Sequence, residues 1–542
     1  MMAHMKSVTS IAVVQANFVV GDLAANADRI IAAIERARAQ GARIVLTPEL
    51  ALSGYPPEDL LLRPDFHRAC ERELARVAAA AGDMVVVLGH PEMHAGRCYN
   101  TASVLREGVT LAVCRKRSLP NYSVFDEQRY FAPGQEACVF ELDGVKIGVA
   151  ICEDLWEPGP ARAAHEAGAE LLLALNASPF HVDKRSLRLG VMHARAAETG
   201  LPILYCNLVG GQDELVFDGA SFALDADGRV AWRAPSFEEC QEVVHLDGGR
   251  WHAGPGAPEP DADAEIYAAL VTGVRDYVGK NGFPGAIIGL SGGIDSALTL
   301  AVAVDALGAE RVRAVMMPSP YTAQMSLDDS REMVRRLGVR YDEIGIEAAM
   351  QTFARMLAEQ FHGLPEDTAE ENLQSRIRGM ILMALSNKSG AIVLTTGNKS
   401  EMATGYATLY GDMAGGFAVL KDLYKCAVYR LSRWRNGQGE VIPANIITRP
   451  PSAELKADQL DQDSLPPYEI LDAIIEAYME RDEAPREIIA RGFAEADVRR
   501  VVGLLKRNEY KRRQAPVGIR VTRRGFGRDW RYPITSRYRD EY

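Results

Sequence analysis

AIIGLSGGIDSALTLAVAVDALG, residues 286–308, decides the fold of the half that contains it. Residues 286–290 form an apolar run too short for a helix and read as a buried strand; 296–308 read as an apolar helix stopped by Gly308. Between them Gly292 and Gly293 let backbone N–H groups approach an oxyanion, and the helix N-terminus adds its positive dipole end. No Lys follows these glycines, which disfavours γ-phosphate transfer of the GxxxxGK[ST] kind. Outward from this turn the alternation continues: VRAVMMP (312–318) is a strand, SLDDSREMVRRLG (326–338) a helix and GAIVLTTGN (390–398) a strand. A βαβ series of this kind predicts a parallel sheet with ligands at the strand C-termini.

Upstream, GRWHAGPGAPEPDADAE (249–265) has Gly, Pro, Ala and acids and no repeating apolar pattern. It reads as a linker, which divides the chain into 1–250, a linker at 251–264, and 265–542. The first part is also α/β. Strands are expected at 11–18, 42–50, 84–90, 145–155, 170–178 and 201–210, helices at 26–41 and about 65–81, and a hairpin over 221–234 turning at Asp227-Gly228. The tail 506–542 is rich in Arg and Lys, and its interleaved aromatics predict an ordered segment.

The 542 residues suit two large α/β domains. A net charge of -12 argues against a general nucleic-acid binder, while leaving room for a small anion held locally. No apolar run is long enough to span a membrane, and Met1 to Ser10 reads as no signal peptide. The eight cysteines (70, 98, 114, 138, 152, 206, 240 and 426) include no CxxC pair, so structural zinc is not expected and reduced cytosolic thiols are.

Three segments of the first part carry chemistry at predicted strand ends: TPEL with Glu49, CRKRSLPNY with Lys116, and ICEDLW with Cys152. A carboxylate can take the thiol proton, and a Lys with a backbone N–H can hold the oxyanion that results. Singly, such residues are more often a buried small hydrophobe and two solvated charges.

Together the three motifs resemble the carbon–nitrogen hydrolase (nitrilase) superfamily over about residues 7–250. The resemblance implies an αββα sandwich, with Glu49 as general base, Lys116 at the oxyanion, Cys152 as the thioester-forming nucleophile, and Glu127 in FDEQRYF positioning them. It also implies that Tyr122, Ser178 and Lys184 hold glutamine. SGGIDS resembles the pyrophosphate loop of N-type ATP pyrophosphatases, a Rossmann-like parallel-sheet fold. ENLQSRIR (371–378), TTGNKSEMATGYATLYGD (395–412), KDLYK (421–425), RPPSAEL (449–455) and NEYKRRQAP (508–516) resemble the NAD synthetases. This second resemblance implies ATP at Gly289, Leu290, Ser291, Gly292, Gly293, Ile294, Asp295, Ser296, Thr396, Lys425 and Ser452; deamido-NAD at Asn372, Arg376, Glu401 and Lys511; and Mg²⁺ shared by Asp295 and Glu401. Leu409 stands where ammonia-only members carry Lys, so no acceptor contact is implied there.

The pairing of the two halves resembles the glutamine-dependent NAD synthetases. It implies a cytoplasmic homo-oligomer whose substrates are ATP, deamido-NAD and L-glutamine, with ammonia made in one half and consumed in the other. Three readings stay open at this level: amidation of another small carboxylate, a nucleotide-sensing binder with silent centres, and a plain amidase without AMP formation.

Overall fold

The computed structural model describes residues 9–452, 454–456 and 465–542. Residues 1–8, which belong to the stretch read as carrying no signal peptide, lie outside them, as does Ala453 of the RPPSAEL motif. Two compact units divide the chain between Asp261 and Ala262.

The first unit is built on two sheets. The seven-stranded sheet runs in the order Arg250–His252, Cys240–Asp247, Thr9–Gln15, Ile44–Leu46, Val85–His94, Arg97–Arg106, Val109–Arg115. The six-stranded sheet runs Val230–Arg233, Phe222–Leu224, Ile203–Asn207, Leu171–Asn176, Val145–Ile151, Cys138–Leu142. Side-chain alternation explains why the central strands read as unbroken apolar runs. Ile11, Val13, Ile44 and Leu46 face inward onto Ile147, Leu171, Leu173 and Leu204 of the other sheet. Ala12, Val14, Val45 and Val86 point the other way, under Ile30, Ile34 and Val77 of the helices Leu23–Ala39 and Pro64–Ala81. Ala150, Leu172 and Ala174 lie likewise under Ala161, Met192 and Ala196 of the helices Pro158–Glu166 and Lys184–Thr199. The result is the αββα sandwich that the nitrilase resemblance implies.

Two features depart from the sequence reading. Residues 250–252 form an edge strand inside the stretch read as linker, because Trp251 is buried and its indole N–H donates to the Leu224 carbonyl at 3.0 Å. The same stretch starts the helix Ala262–Lys280, whose first-turn acids Asp263 and Glu265 suit the dipole. The expectation of reduced thiols throughout is also corrected: Cys114 and Cys138 form a disulfide. The strands Val109–Arg115 and Cys138–Leu142 belong to different sheets, and sandwich packing brings their Cα atoms to 5.3 Å.

In the second unit all five strands are parallel, in the order Arg340–Glu343, Val312–Met316, Ala286–Gly289, Ile392–Thr395, Phe417–Ala418. The helix Ile294–Leu307 follows the central strand. A separate helical core gathers Leu471, Ile474 and Ile475 of Tyr468–Glu480 with Val498, Val501 and Val502 of Glu495–Arg507. Trp530 of the basic tail joins that core and stacks on Tyr532. No helix among the described residues is long and apolar enough to cross a membrane.

Candidate functional site

Each unit gathers one set of chemistry-bearing side chains at strand C-termini. In the first, Glu49 follows Ile44–Leu46, Lys116 directly follows Val109–Arg115, and Cys152 directly follows Val145–Ile151. Cys152 takes φ 46°, a sharp left-handed turn that breaks the strand and opens the turn Cys152–Leu155. Lys116 is 1% exposed, and its ammonium donates to Glu49 Oε1 at 2.7 Å and Glu127 Oε1 at 2.8 Å. Glu49, fully buried, also accepts from Asn100 Nδ2 (2.7 Å) and the Ala177 N–H (3.0 Å); Glu127 accepts from the Tyr55 hydroxyl (2.9 Å).

Burial works against the Lys116 charge, but Glu127 and Glu49 overcome it and hold the ammonium well above its ordinary pKa. Burial pushes the Glu127 carboxyl up, with Lys116 opposing. Burial, and then the Glu49 charge, push the Cys152 thiol well up, and Lys116 only partly counters them. The resting sulfur is therefore a thiol, and nucleophilic attack requires a base to take its proton.

The three residues expected at glutamine are placed differently from one another. Tyr122, 52% exposed, donates its hydroxyl to Glu153 Oε1 at 3.0 Å, beside Cys152. Lys184 sets its ammonium 4.1 Å from the Trp156 ring centroid. Ser178 is buried, and its hydroxyl accepts from Arg188 Nε at 3.2 Å. Arg188 is itself pinned to Asp218 at 2.8 and 2.6 Å.

Sequence reasoning passes over Asp154, although it lies in the ICEDLW motif. Its buried carboxylate accepts from the Arg117 and Ser118 N–H groups at 2.9 and 2.8 Å and from the Ile151 N–H at 3.1 Å. One side chain thus ties the lysine segment to the cysteine turn. Asn100 and Tyr55 are missed as well, since they carry no sequence signal of their own.

In the second unit, Gly289, Leu290, Ser291, Gly293, Ile294, Asp295 and Ser296 line a cleft of about 290 Å³ with Thr396, Glu401, Lys425 and Ser452. Gly292 lies behind that wall: its carbonyl accepts from Arg449, and its φ of 79° is left-handed. Lys425 donates to Asp295 Oδ2 at 2.5 Å and Glu401 Oε1 at 3.4 Å, so one ammonium joins both carboxylates. Asn398 holds the same pair, donating Nδ2 to Asp295 Oδ1 (2.8 Å) and accepting the Glu401 N–H (3.0 Å). Asn398 lies inside the TTGNKSE motif, but the motif alone gives it no role.

The other three residues expected at deamido-NAD lie outside that cleft and converge on the segment 405–409. Asn372 Oδ1 accepts from the Thr408 hydroxyl (2.8 Å), Arg376 Nε donates to the Leu409 carbonyl (3.2 Å), and Lys511 Nζ donates to the Gly405 and Ala407 carbonyls (2.8 Å each). Arg376 lines a neighbouring, more open cleft with Met380, Met383, Leu409 and Tyr410. The two clefts share Gly379 and Ala414 in their walls.

Comparison with known proteins matches both units. Residues 10–252 match the family described as carbon-nitrogen hydrolase, and residues 266–515 match the family described as NAD synthase. The glutamine-dependent NAD(+) synthetase of Xylella fastidiosa (strain 9a5c) is 51% identical over 538 residues, spanning 98% of this chain and 99% of the relative. That of Acinetobacter baylyi (strain ATCC 33305 / BD413 / ADP1) is 48% identical over 96% of this chain and 97% of its own. Among solved structures, the glutamine-dependent NAD+ synthetase from Acinetobacter baumannii, in complex with adenosine diphosphate, has a TM-score of 0.81 at 44% identity, covering 99% of this chain and 100% of that one. The Cytophaga hutchinsonii protein, 21% identical over 98% of both chains, shares the fold with a TM-score of 0.84.

Proposed function

This chain belongs to the glutamine-dependent NAD(+) synthetase family, and from that premise we propose how its residues divide the reaction. The overall conversion takes ATP, deamido-NAD, L-glutamine and water to NAD, AMP, diphosphate and L-glutamate. At the first centre Glu49 takes the Cys152 proton, and the thiolate attacks the glutamine side-chain carbonyl. The Lys116 ammonium faces the oxyanion as it forms. The proton passes through Glu49 to the departing amide nitrogen, ammonia leaves, and water cleaves the thioester to glutamate. Glu127 keeps Lys116 charged and in register. Tyr122 and Lys184 line the glutamine approach, with Ser178 supporting it from behind.

At the second centre the 289–296 turn and Lys425 hold the ATP phosphates, with Thr396 and Ser452 at the nucleotide. That the Acinetobacter baumannii structure is a complex with adenosine diphosphate supports the reading of a nucleotide-binding protein. The nicotinate carboxylate of deamido-NAD attacks the α-phosphorus and pyrophosphate leaves. Ammonia then attacks the adenylated carbonyl, and AMP departs as the new amide loses a proton. Asn372, Arg376, Glu401 and Lys511 orient deamido-NAD.

Asp295 and Glu401 fit Mg²⁺, because both are carboxylates facing one cleft within reach of a single ammonium. Among the described residues no larger cluster of His, Cys, Asp or Glu is suited to a metal. The remaining ligands would be substrate oxygens and water, and the ion would supply charge neutralisation for the leaving pyrophosphate. Ammonia released into bulk water becomes ammonium, which is no nucleophile, so direct passage between the centres preserves it.

What carries this reading is the pair of charge clusters, the buried Lys116 with Glu49 and Glu127 in one unit and Lys425 with the half-buried Asp295 and Glu401 in the other. NAD formation with ATP, Mg²⁺, deamido-NAD and either glutamine or ammonium tests it. Cys152→Ala is expected to abolish the glutamine-driven reaction and to keep the ammonium-driven one. Loss of both in a folded variant, or of neither, overturns the division of labour.

A further inference from the structure

Lys425 and Glu401 are presented by two separate elements of the second unit. Glu401 belongs to the short helix Lys399–Thr404, and Lys425 is the first residue of the helix Lys425–Gly437. The residue preceding that helix, Tyr424, makes no side-chain cap to its first N–H groups. One carboxylate from a third element ties the two helices together. Asp472, 7% exposed on the helix Tyr468–Glu480, accepts the Cys426 N–H at Oδ2 (2.9 Å) and the Ser400 hydroxyl at Oδ1 (2.5 Å). The same Ser400 oxygen accepts the Lys425 N–H at 3.0 Å. Two turns further on, Glu480 of that helix accepts from Lys399 Nζ (2.8 Å) and from the Tyr424 hydroxyl (2.6 Å).

We infer that Asp472 is a positioning residue of the adenylating centre, setting the Lys425 ammonium and the Glu401 carboxylate in place through Ser400 and the Cys426 N–H. The inference rests on the reading of Lys425 as a group at the ATP phosphates. A buried carboxylate is costly unless its oxygens are satisfied, and these oxygens are satisfied by donors belonging to the two elements that present Lys425 and Glu401. An Asn here turns an N–H toward one of those donors while keeping the side-chain volume. A shift of about 1 Å in Lys425 would reduce turnover by up to ~100-fold, while the cleft walls that bind the nucleotide stay intact.

The test uses the full chain and ammonium-driven AMP release, monitored long enough to read weak turnover. It compares Asp472→Asn, Ser400→Ala, Lys425→Ala and the double variant Asp472→Asn/Lys425→Ala. Asp472→Asn is expected to lower kcat at least ~10-fold and to move the KM for ATP less than ~3-fold. In the Lys425→Ala background it is expected to cost at least ~3-fold less, because one of the two groups it acts through is gone. An equal fold-loss in both backgrounds makes Asp472 merely structural and overturns the inference, as does kcat within twofold of the parent for both Asp472→Asn and Ser400→Ala. If Asp472→Asn fails to fold, Ser400→Ala, which keeps the carboxylate, decides by whether its kcat falls at unchanged ATP KM. Full activity in Lys425→Ala sinks the phosphate reading along with the inference; loss there without loss in Asp472→Asn sinks the inference alone.

Discussion

At the scale of single residues, burial decides which groups carry charge. The Cys152 thiol is held protonated by its surroundings, while Lys116 is held ionised by two carboxylates. In the proposed mechanism the sulfur stays a thiol until Glu49 takes its proton for attack on the substrate carbonyl. Asp412, exposed where it lines the cleft of the second unit, still feels the protein around it. Its carboxyl is pushed up to about 6, first by burial, with the Thr408 N–H (2.7 Å) and Lys511 pulling the other way. The folded pKa therefore lies above the unfolded one. Below about pH 4 both states are protonated and nothing is lost. As pH rises through about 4 to 6 the unfolded chain ionises first, stability falls, and the full deficit persists above 6. Asn at 412 can still accept the Thr408 N–H and escapes this cost. Asp412→Asn is expected to raise the melting temperature more at pH 8 than at pH 5, by well under ~3 kcal/mol of stability at pH 8 because solvent screens the exposed residue. Thermal unfolding of both proteins at the two pH values reads the difference, and an equal gain at both would contradict it.

At the scale of elements, two turns bear most of the functional geometry. The turn after the strand Ala286–Gly289 requires glycine at 292. A Cβ there would lie 2.7 Å from the Ser326 carbonyl oxygen, and the φ of 79° strains any L side chain. Gly292→Ala is expected to raise the KM for ATP at least ~10-fold and to lower stability by ~1–2 kcal/mol. ATP titration by calorimetry checks the first and denaturant unfolding the second. The turn Cys152–Leu155 depends on Asp154 for three backbone hydrogen bonds. Asp154→Ala strands those N–H groups in a buried site, with an expected loss of about 2–4 kcal/mol and of glutamine hydrolysis. Glutamate release and the unfolding midpoint should fall together, and a fully active, stable variant would refute the assignment.

At the scale of the molecule, each unit has apolar clusters of its own. Residues 262–542 expressed alone are expected to keep ammonium-driven NAD formation, within ~10-fold in kcat, and to have no glutamine-driven reaction. A soluble, folded fragment without ammonium-driven activity would mean that the synthetase half needs the other unit for its chemistry. Although the net charge is -12, the cleft of the second unit is lined by the cations Arg378, Lys425 and Arg449.

The sequence alone determined the architecture class, the motif order and the family, because glycine punctuation and apolar runs are local signals. The 286–308 stretch shows strand, turn and helix without reference to anything distant, and Glu49, Lys116 and Cys152 stand in recognisable local contexts. It did not yield the strands Arg97–Arg106, Val109–Arg115, Cys138–Leu142 and Cys240–Asp247, whose mixed polarity reflects their place toward the sheet edges. Nor did it yield Trp251 as a core residue, since one buried indole leaves no periodic trace. Only the tertiary structure decided that Asn100, Tyr55 and Asn398 hold the charged groups, that Arg188 holds Ser178, and that Asp154 and Asp472 tie separate segments together. Each acts on a partner brought close by sheet packing or helix docking, 51 residues away for Asn100 and Glu49 and 72 for Asp472 and Ser400. Hydrogen bonds of that range depend on the three-dimensional meeting of elements, which no local pattern of residues encodes.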